Sequence, residues 1–440
     1  MEYSVISKIS IETNWLPPFQ GTEEVRKTSA ELRISFGDRV ATRFEDDWSQ
    51  TVKERARVAA YPLALWLASS WWRLRWEPKP AQFRVQHDQS SAETHWRMSH
   101  ELPAAGQGFI WPCLSFASDG ETIAVLCSQS NLLTGEPVRY LSDFATTVSA
   151  REFELAVDDF VNLVCSRLDP LRTDLHSLWQ DLLSERADAE EAESRKIEAR
   201  LGYDPDEAPP SLIERFVRLA SDAGADSASE IAPICAGPNP AGALQDILNF
   251  ASEPGIRGKM AVPALLEDPG ASPPWQRAKA LARLARKALG LNGKPIDDRS
   301  LCDLLEIPPN TFNLKPATKA DVGLAVRTTG EQSFNFLFHK RNRLARRFEA
   351  ARFICDYLSH VGGDRWLPVT DAHTARQKKQ RAFAAEFLCP IDALREFLDD
   401  ELNPEAIEEA SEHFGISEMA ITSHLANNYL IARSAVDDWT

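Results

Sequence analysis

Residues 352–356, which read Arg-Phe-Ile-Cys-Asp, and the nearby His360 hold the residue types most able to do chemistry. Asp356 and His360 are four residues apart, so on a helix their side chains share one face, with Cys355 adjacent. A carboxylate and an imidazole in this arrangement can bind a divalent metal. Arg352 lies one turn before Asp356, however, and its fixed positive charge repels a cation. We therefore predict no metal site, keep Asp356 and His360 as the candidates for one, and favour a structural pair between Arg352 and Asp356.

Positive charge is concentrated in one part of an otherwise acidic chain. The 440 residues contain 49 Lys+Arg and 65 Asp+Glu, a net charge of −16. Residues 273–382 carry 21 basic and 10 acidic side chains, whereas the segments before and after are strongly acidic. With this overall charge, a general nucleic-acid binder would need a local basic patch, and the basic stretch has two explanations. It pairs with the protein's own acidic surface, or it forms a local site for an anionic ligand or polymer.

The composition is that of an ordinary globular protein. Hydrophobic residues make up 43% of the chain, and its length fits about three domains. The seven cysteines contain no Cys-x-x-Cys pair, which indicates reduced thiols rather than disulfides or a zinc ribbon. No secretory signal is visible, and the longest apolar stretch, near residues 61–68, is much shorter than the ~20 residues that span a bilayer. We predict a cytoplasmic protein without a membrane partner.

The first 150 residues predict a mixed α/β domain. Apolar alternation predicts strands on both sides of Gly37 and on both sides of Gly120, two residues typical of hairpin turns. Residues 53–76 lack glycine and are apolar nearly all round, as in a buried helix. Eight of the twelve tryptophans lie in the first 111 residues. They are expected in the core rather than on a base-stacking platform, because the domain is acidic.

The rest of the chain predicts mostly helices. Residues 151–255 read as a helical middle region that begins with a helix capped by Ser149. Residues 256–274 are rich in proline and glycine and are predicted to be a linker. Residues 275–440 predict an α+β domain, with a pair of strands around residues 329–330 and several helices. The expected fold class is therefore multi-domain α+β.

Four pieces of the last third resemble the ImmA/IrrE family of metallopeptidase-like proteins. The most specific piece is residues 382–390, Ala-Phe-Ala-Ala-Glu-Phe-Leu-Cys-Pro, which is similar to that family's Phe-Ala-Ala-Glu-Leu-Leu-Met-Pro run. The other pieces follow the family's order and are residues 275–296, residues 346–351 and residues 414–425. The resemblance implies an ImmA/IrrE-like metallopeptidase-type α+β fold for this part of the chain only.

The zinc motif of that family is degenerate in this chain. The family's zinc helix reads Ala-His-Glu-x-x-His, in which two histidines bind the metal and the glutamate activates a water. The corresponding positions here are Arg352, Phe353 and Asp356. Residues 376–381, where an acidic third ligand would be sought, contain no carboxylate. Zinc-dependent proteolysis is therefore not supported, and we predict no catalytic residue and no cofactor.

The residues that replace the metal site are basic. If the family fold holds, the former catalytic cleft is lined by cations, which suit phosphate or carboxylate recognition. The candidate anion-binding residues are Arg347, Arg352, Lys378, Lys379 and Arg381. The alternative is that they pair with the acidic segment after residue 382.

Other functional motifs are missing from the sequence. There is no phosphate-binding loop, nucleophile elbow or dinucleotide-binding turn, and no histidine stands out as a general base. The last two predicted helices, over 406–414 and 417–431, resemble a helix-turn-helix. Residues 417–431 contain no lysine or arginine, so direct DNA reading is not expected.

These observations predict a non-catalytic binding or scaffold protein. The resemblance implies a regulatory or defence-associated role, since family members occur in mobile-element, toxin–antitoxin and phage settings beside repressor-type partners. A protein partner, either repressor-type or a component of a defence complex, is therefore expected. Two alternatives remain open. One is a metal-dependent hydrolase or peptidase with a rearranged site. The other is a nucleic-acid-binding component of a mobile-element or anti-phage system that uses residues 273–382.

Overall fold

A computed structural model provides the structure of the chain. It describes residues 7–46, 48–80, 91–130, 137–169, 171–263, 273–314, 320–328, 333–359, 363–399 and 401–431. The chain forms two compact units, residues 1–213 and residues 214–440. With 52% of the structure helical and 18% in strands, the predicted mixed α+β class is confirmed.

The N-terminal unit combines three small antiparallel sheets with helices. Its strands are β1 (Ile9–Trp15), β2 (Ser29–Phe36), β3 (Arg39–Val40), β4 (Phe44–Asp46), β5 (Thr51–Lys53), β6 (Ala56–Ala59), β7 (Cys113–Ser118), β8 (Thr122–Ser128), β9 (Val138–Tyr140) and β10 (Phe144–Ser149). Its helices are α1 (Glu23–Lys27), α2 (Ala60–Ser69), α3 (Trp71–Trp76), α4 (Ser91–His100), α5 (Ala150–Leu168), α6 (Asp174–Ala187) and α7 (Ala189–Arg200), and α8 (Pro210–Ala223) crosses the division between the units.

Strand pairing in this unit follows the predicted hairpins. In one sheet β2 pairs with β1, β3 and β6, and the other sheets have the orders β10-β8-β7 and β5-β4-β9. Gly37 and Gly120 have φ angles of 57° and 97°, the left-handed region that favours glycine. Asp119 completes the second turn, because its Oδ1 accepts the backbone N–H groups of Glu121 and Thr122. Both predicted hairpins are confirmed.

The predicted buried helix over residues 53–76 is wrong in its first part. Ala56–Ala59 forms β6, in which Val58 lies opposite Ala30 of β2, and the helix α2 begins only at Ala60. Pairing with an open sheet edge satisfies the backbone here, which the helical apolar pattern does not reveal. The helix capped by Ser149 is confirmed, since the Ser149 hydroxyl accepts the N–H of Glu152.

Most of the tryptophans of the first 111 residues belong to the hydrophobic core. Trp66, Trp71, Trp72, Trp96 and Trp111 are all buried. The core prediction is therefore confirmed for these five. Trp15 and Trp76 are partly buried against that core. Trp48 lies in the β4–β5 turn with 90% of its surface exposed.

The C-terminal unit is a small antiparallel sheet covered by helices. Its strands are β11 (Ile256–Gly258), β12 (Val322–Arg327), β13 (Phe334–Leu337) and β14 (Trp366–Thr370), in the order β11-β13-β12-β14. Its helices are α9 (Ala225–Cys235), α10 (Pro240–Ala251), α11 (Pro274–Ala288), α12 (Asp298–Leu304), α13 (Arg343–Ser359), α14 (Ala375–Leu388), α15 (Ile391–Leu398), α16 (Pro404–Phe414) and α17 (Glu418–Asn427). One hydrophobic core joins the sheet to α11, α13 and α14.

The boundaries between parts differ from those predicted. The division between the compact units falls at residues 213/214, inside the predicted middle region 151–255. Part of the predicted linker 256–274 forms β11, which pairs with β13 and places Arg257 opposite Asn335. Residues 264–272 of that linker, and the predicted turn at 329–330, lie outside the described residues.

Candidate functional site: the groove between two helices

Two helices carry the residues singled out by the sequence. Asn342 begins α13, because its Oδ1 accepts the N–H of Ala345, and Thr374 begins α14 by accepting the N–H of Gln377. The two helices pack against each other in the core of the C-terminal unit. Polar side chains of α13 therefore meet those of α14 in a largely buried groove, which we call the α13–α14 groove.

Asp356 is held by the guanidinium of Arg376. The Arg376 Nε donates to Asp356 Oδ1 at 2.8 Å, and its Nη2 donates to Oδ2 at 2.6 Å. A second carboxylate, that of Asp364, accepts a hydrogen bond from Nη1 of the same arginine at 2.9 Å. All three residues are buried. Burial alone lowers the pKa of Arg376, but the facing Asp356 outweighs this effect and raises it.

This pairing corrects one prediction. We expected Arg352 to be the partner of Asp356, because the two are four residues apart on α13, whereas the bidentate partner is Arg376 of α14. Both oxygens of Asp356 accept guanidinium N–H groups, so a metal ion would have to displace a buried arginine to bind there. The other metal candidate, His360, lies outside the described residues.

The position of Asp364 depends on Gly224. A Cβ atom on residue 224 would lie 1.9 Å from Asp364 Oδ1, and the φ angle of 107° also disfavours a side chain. Ser227 of α9 lies close as well, with its hydroxyl 2.7 Å from Asp364 Oδ2. The ion pair therefore connects α9, the residues before β14, α13 and α14.

Gln377 organises a second buried network beside the first. Its Oε1 accepts hydrogen bonds from Arg352 Nη2 at 2.6 Å and from the Thr370 backbone at 2.9 Å. Its Nε2 donates to Glu230 Oε2 at 3.1 Å and to the Pro368 carbonyl at 3.2 Å. All four hydrogen-bonding positions of this amide are thus engaged, which fixes its orientation.

Arg352 is only partly satisfied by this network. Its Nη2 also donates to the Thr370 carbonyl at 2.6 Å, but its buried Nε has no hydrogen-bond partner among the described residues. Burial and, after it, the nearby charge of Arg381 lower the pKa of Arg352 to about 9. Arg352 is therefore a buried cation whose hydrogen-bonding capacity is not fully used.

The other predicted anion-binding residues occupy different places. Arg347 is buried away from the groove network and donates to Asp298 and to the carbonyl oxygens of Ile296 and Gly415. Arg381 is half-buried, and both of its Nη groups donate to the Ala372 carbonyl at 3.1 Å.

The two lysine candidates, Lys378 and Lys379, are half-buried on α14. Burial and, after it, the charge of Arg381 lower the pKa of Arg352, whereas Arg347 makes its contacts with Asp298, Ile296 and Gly415. The anion-binding role itself stays a prediction.

Pairing between the basic stretch and the acidic C-terminal segment occurs at one buried position. Glu386 Oε1 accepts a hydrogen bond from Arg283 Nε at 2.8 Å, and Oε2 lies 3.5 Å from His424 Nε2. Burial alone raises the pKa of Glu386, but His424 and Arg283 outweigh it, so the pKa is lowered. This Glu386 belongs to the run that carries the family resemblance, and here it joins α11, α14 and α17.

The sequence did not identify a histidine–carboxylate pair beside the groove. His339 Nδ1 lies 2.5 Å from Glu349 Oε1, and its buried Nε2 has no hydrogen-bond partner among the described residues. Gly323 makes room for the carboxylate, because a Cβ atom there would lie 1.8 Å from Glu349 Oε1. A glycine within a predicted strand was the one available signal.

One cluster with metal-ligand chemistry lies in the N-terminal unit. Ligand atoms of His95, Asp204 and Glu207 lie within 4.8 Å of one another. Arg73 occupies the same place, with its Nη1 3.5 Å from Asp204 Oδ1 and 3.2 Å from His95 Nδ1. A guanidinium at this position opposes cation binding, so we assign no metal here.

Comparison with known protein families, curated proteins and solved structures gave no match. Membership of a family is therefore not established, and the ImmA/IrrE resemblance rests on the sequence motifs. Among the described residues, no helix combines the length and the apolar character that crossing a bilayer requires.

Proposed function

We propose that this chain is a non-catalytic, cytoplasmic binding or scaffold protein with a regulatory or defence-associated role. Its C-terminal unit would be an ImmA/IrrE-like pseudo-peptidase, in which the metal site has become a buried ion-pair network. The observation that carries the proposal is the bidentate contact between Arg376 and Asp356. A side chain at the predicted second-ligand position here binds a guanidinium instead of a metal.

The environment of Phe353 supports the absence of peptidase chemistry. This residue stands at the predicted general-base position, and its ring lies 5.8 Å from that of Phe336 and 5.6 Å from that of Phe338. It is fully buried in the aromatic core against β13. A phenyl ring in this position can neither accept a proton nor orient a water.

Rebuilding the ligand set tests the pseudo-peptidase proposal. The triple variant Arg352→His, Asp356→His and Arg376→Glu places two imidazoles four residues apart and a carboxylate opposite them. We expect this variant to bind about one zinc per chain, as measured by elemental analysis after dialysis, and the wild-type chain to bind none. The matched control carries Asp356→Asn in place of Asp356→His, which removes one ligand. Equal zinc contents in a folded variant and in its control would contradict the assignment of residues 352 and 356 to the two histidine positions of the family's zinc motif.

Co-purification tests the binding role. The tagged full chain is expressed in its native host, and a protein partner is expected to co-elute in a fixed ratio. If every bound protein dissociates at moderate salt, the contacts are non-specific attractions between surface charges, and the proposal is contradicted. Hydrolysis of an unfolded polypeptide by the wild-type chain, lost on Asp356→Asn, would favour the enzyme instead.

A further inference from the structure

The guanidinium of Arg352 is a buried charge that forms no ion pair with a described residue. Arg352 is 3% exposed, and within the described part of the chain only its Nη2 has hydrogen-bond acceptors, the Thr370 carbonyl and Gln377 Oε1. Its Nε is buried and has no hydrogen-bond partner among the described residues. The charges of Asp371, Glu349 and Asp356 act on the guanidinium, but the ion pairs among the described residues do not include Arg352. A buried charge is costly unless it is paired, so this arrangement calls for an explanation beyond packing.

Arg286 shows how a purely structural arginine is accommodated in the same unit. It is also 3% exposed, and among the described residues it forms no ion pair with a carboxylate. Its Nε donates to the Asn292 carbonyl at 2.8 Å, its Nη2 donates to the Lys294 carbonyl at 2.5 Å, and its Nη1 donates to the Phe387 carbonyl. All three nitrogens of Arg286 therefore have backbone acceptors, whereas Nε of Arg352 does not.

A second arginine, Arg381, is close enough to Arg352 for its positive charge to act on it. Both Arg381 Nη groups donate to a single described acceptor, the Ala372 carbonyl. Arg381 is half-buried, whereas Arg352 is almost completely buried. Two adjacent like charges repel each other, and an anion between them would remove that repulsion.

The nearby carboxylates already have other partners. Asp371 pairs with Lys340 Nζ at 2.9 Å, and Glu349 pairs with His339 at 2.5 Å. His339 Nε2 is a second buried nitrogen without a hydrogen-bond partner among the described residues, and both His339 and Arg352 act electrostatically on Asp371. With Nδ1 donating to Glu349, a neutral His339 ring offers Nε2 as an acceptor, so Arg352 Nε is the buried donor left without a partner here.

We propose that Arg352 and Arg381 bind the terminal phosphate group of a small molecule, either inorganic phosphate or a nucleotide. Guanidinium groups match the geometry and charge of phosphate oxygens. The ligand is small because Arg352 is nearly buried, beyond the reach of a duplex backbone, and because the net charge of −16 repels polyanions. The inference deepens the proposed function and rests on it for the premise that the groove holds no metal.

Calorimetric titration of the full chain with inorganic phosphate at constant ionic strength tests this inference. We expect saturable binding to one site. Arg381→Met should weaken binding by about 10-fold or more, because one charged donor group is lost. Arg381→Lys should have an intermediate effect. The matched control is Arg299→Met, a change of an exposed arginine in the same basic stretch, and it should bind phosphate like the wild type.

The alternative outcomes separate the possible ligands. Tighter binding of adenosine monophosphate than of inorganic phosphate, with the same dependence on Arg381, identifies a nucleotide site. No saturable phosphate binding, or equal binding by wild type and a folded Arg381→Met, overturns the inference. Binding of a single-stranded oligonucleotide that depends on Arg381 overturns the small-molecule class. Zinc analysis of the same sample separates the two proposals. Protein that contains no zinc and does not bind phosphate contradicts this inference but not the proposed function. Protein that contains zinc contradicts the proposed function.

Discussion

Two buried charge networks, one in each unit, differ in whether their charges are balanced. In the N-terminal unit, Glu77 Oε2 accepts hydrogen bonds from Arg73 Nε at 2.7 Å and lies 2.9 Å from His100 Nε2. In the C-terminal unit, Arg352 donates to the amide oxygen of Gln377 and to a backbone carbonyl, and no described carboxylate forms an ion pair with it. We call the first network closed, because its buried cation and carboxylate pair with each other. The second network leaves the Arg352 guanidinium without a paired carboxylate and with an unpartnered Nε among the described residues.

The difference separates a structural role from a functional one. In a closed network the ion pairs offset the free-energy cost of burying the charges. Removing one member leaves its partner buried and unpaired, which lowers the free energy of unfolding. An unpaired buried cation costs free energy instead of adding stability, and a bound anion would offset that cost. Substitutions in the closed pairs should therefore unfold the protein more readily than the substitution of Arg352.

The largest effect is expected for Arg376→Met. This change leaves Asp356 and Asp364 buried without their guanidinium, and breaking such a pair costs about 4 kcal/mol. Urea denaturation followed by circular dichroism measures the loss in the free energy of unfolding. The exposed Arg395→Met on α15 is the control and should change it by less than about 0.5 kcal/mol. A loss below about 1 kcal/mol in Arg376→Met would mean that the pair is not closed in solution.

A smaller loss, about 3 kcal/mol, is expected for Glu77→Gln in the N-terminal unit. The neutral amide keeps a hydrogen bond but no longer balances Arg73 and His100. Arg73 retains a second carboxylate, Asp204 at 3.5 Å, which limits the effect. Tryptophan fluorescence reports on this unit, because Trp72 and Trp96 are part of its core. If Glu77→Gln and the wild type have the same urea midpoint, the Glu77 carboxylate does not balance the charges of Arg73 and His100 in solution.

The same carboxylate predicts a dependence on acidity. Burial alone raises the pKa of Glu77, but His100 and Arg73 outweigh it and hold the pKa below its ordinary value. A lowered pKa in the folded state adds stability above the unfolded value of about 4.3, and this stability is lost as the pH falls through the folded pKa. Urea midpoints should therefore decrease on acidification below about pH 4. Glu77→Gln should flatten this decrease, and an identical decrease in the variant would assign it to other groups.

The smallest effect is expected for Arg352→Met. Methionine fills a similar volume without a charge, so the free energy of unfolding should stay within about 1 kcal/mol of the wild type. Phosphate binding should be lost in the same variant. A loss of about 3 kcal/mol or more would place Arg352 with the structural pairs and would remove the contrast between the two networks.

Local patterns in the sequence predicted much of the secondary structure. The turns at Gly37 and Gly120 and the cap at Ser149 all depend on residues close in sequence. The missed strand β6 depends on pairing with β2, which lies more than twenty residues away. Long-range pairing of this kind leaves little local signal.

The candidate site was predictable only in part. The sequence placed Arg352 and Asp356 on one helix and identified the basic segment that precedes Phe383. It could not reveal that Arg376 rather than Arg352 binds Asp356, because that choice depends on how α13 packs against α14. The pair of His339 and Glu349 also joins two elements, the end of β13 and α13, and so carries no spacing signature.

Zinc stoichiometry of the wild-type chain tests the central claim most directly. The purified full-length protein is dialysed against zinc and then against buffer, and its metal content is measured beside that of Asp356→Asn. Because Arg376 holds both oxygens of Asp356, we predict no retained zinc in either protein. One zinc per chain in the wild type, absent from Asp356→Asn, would show that the groove is a metal centre.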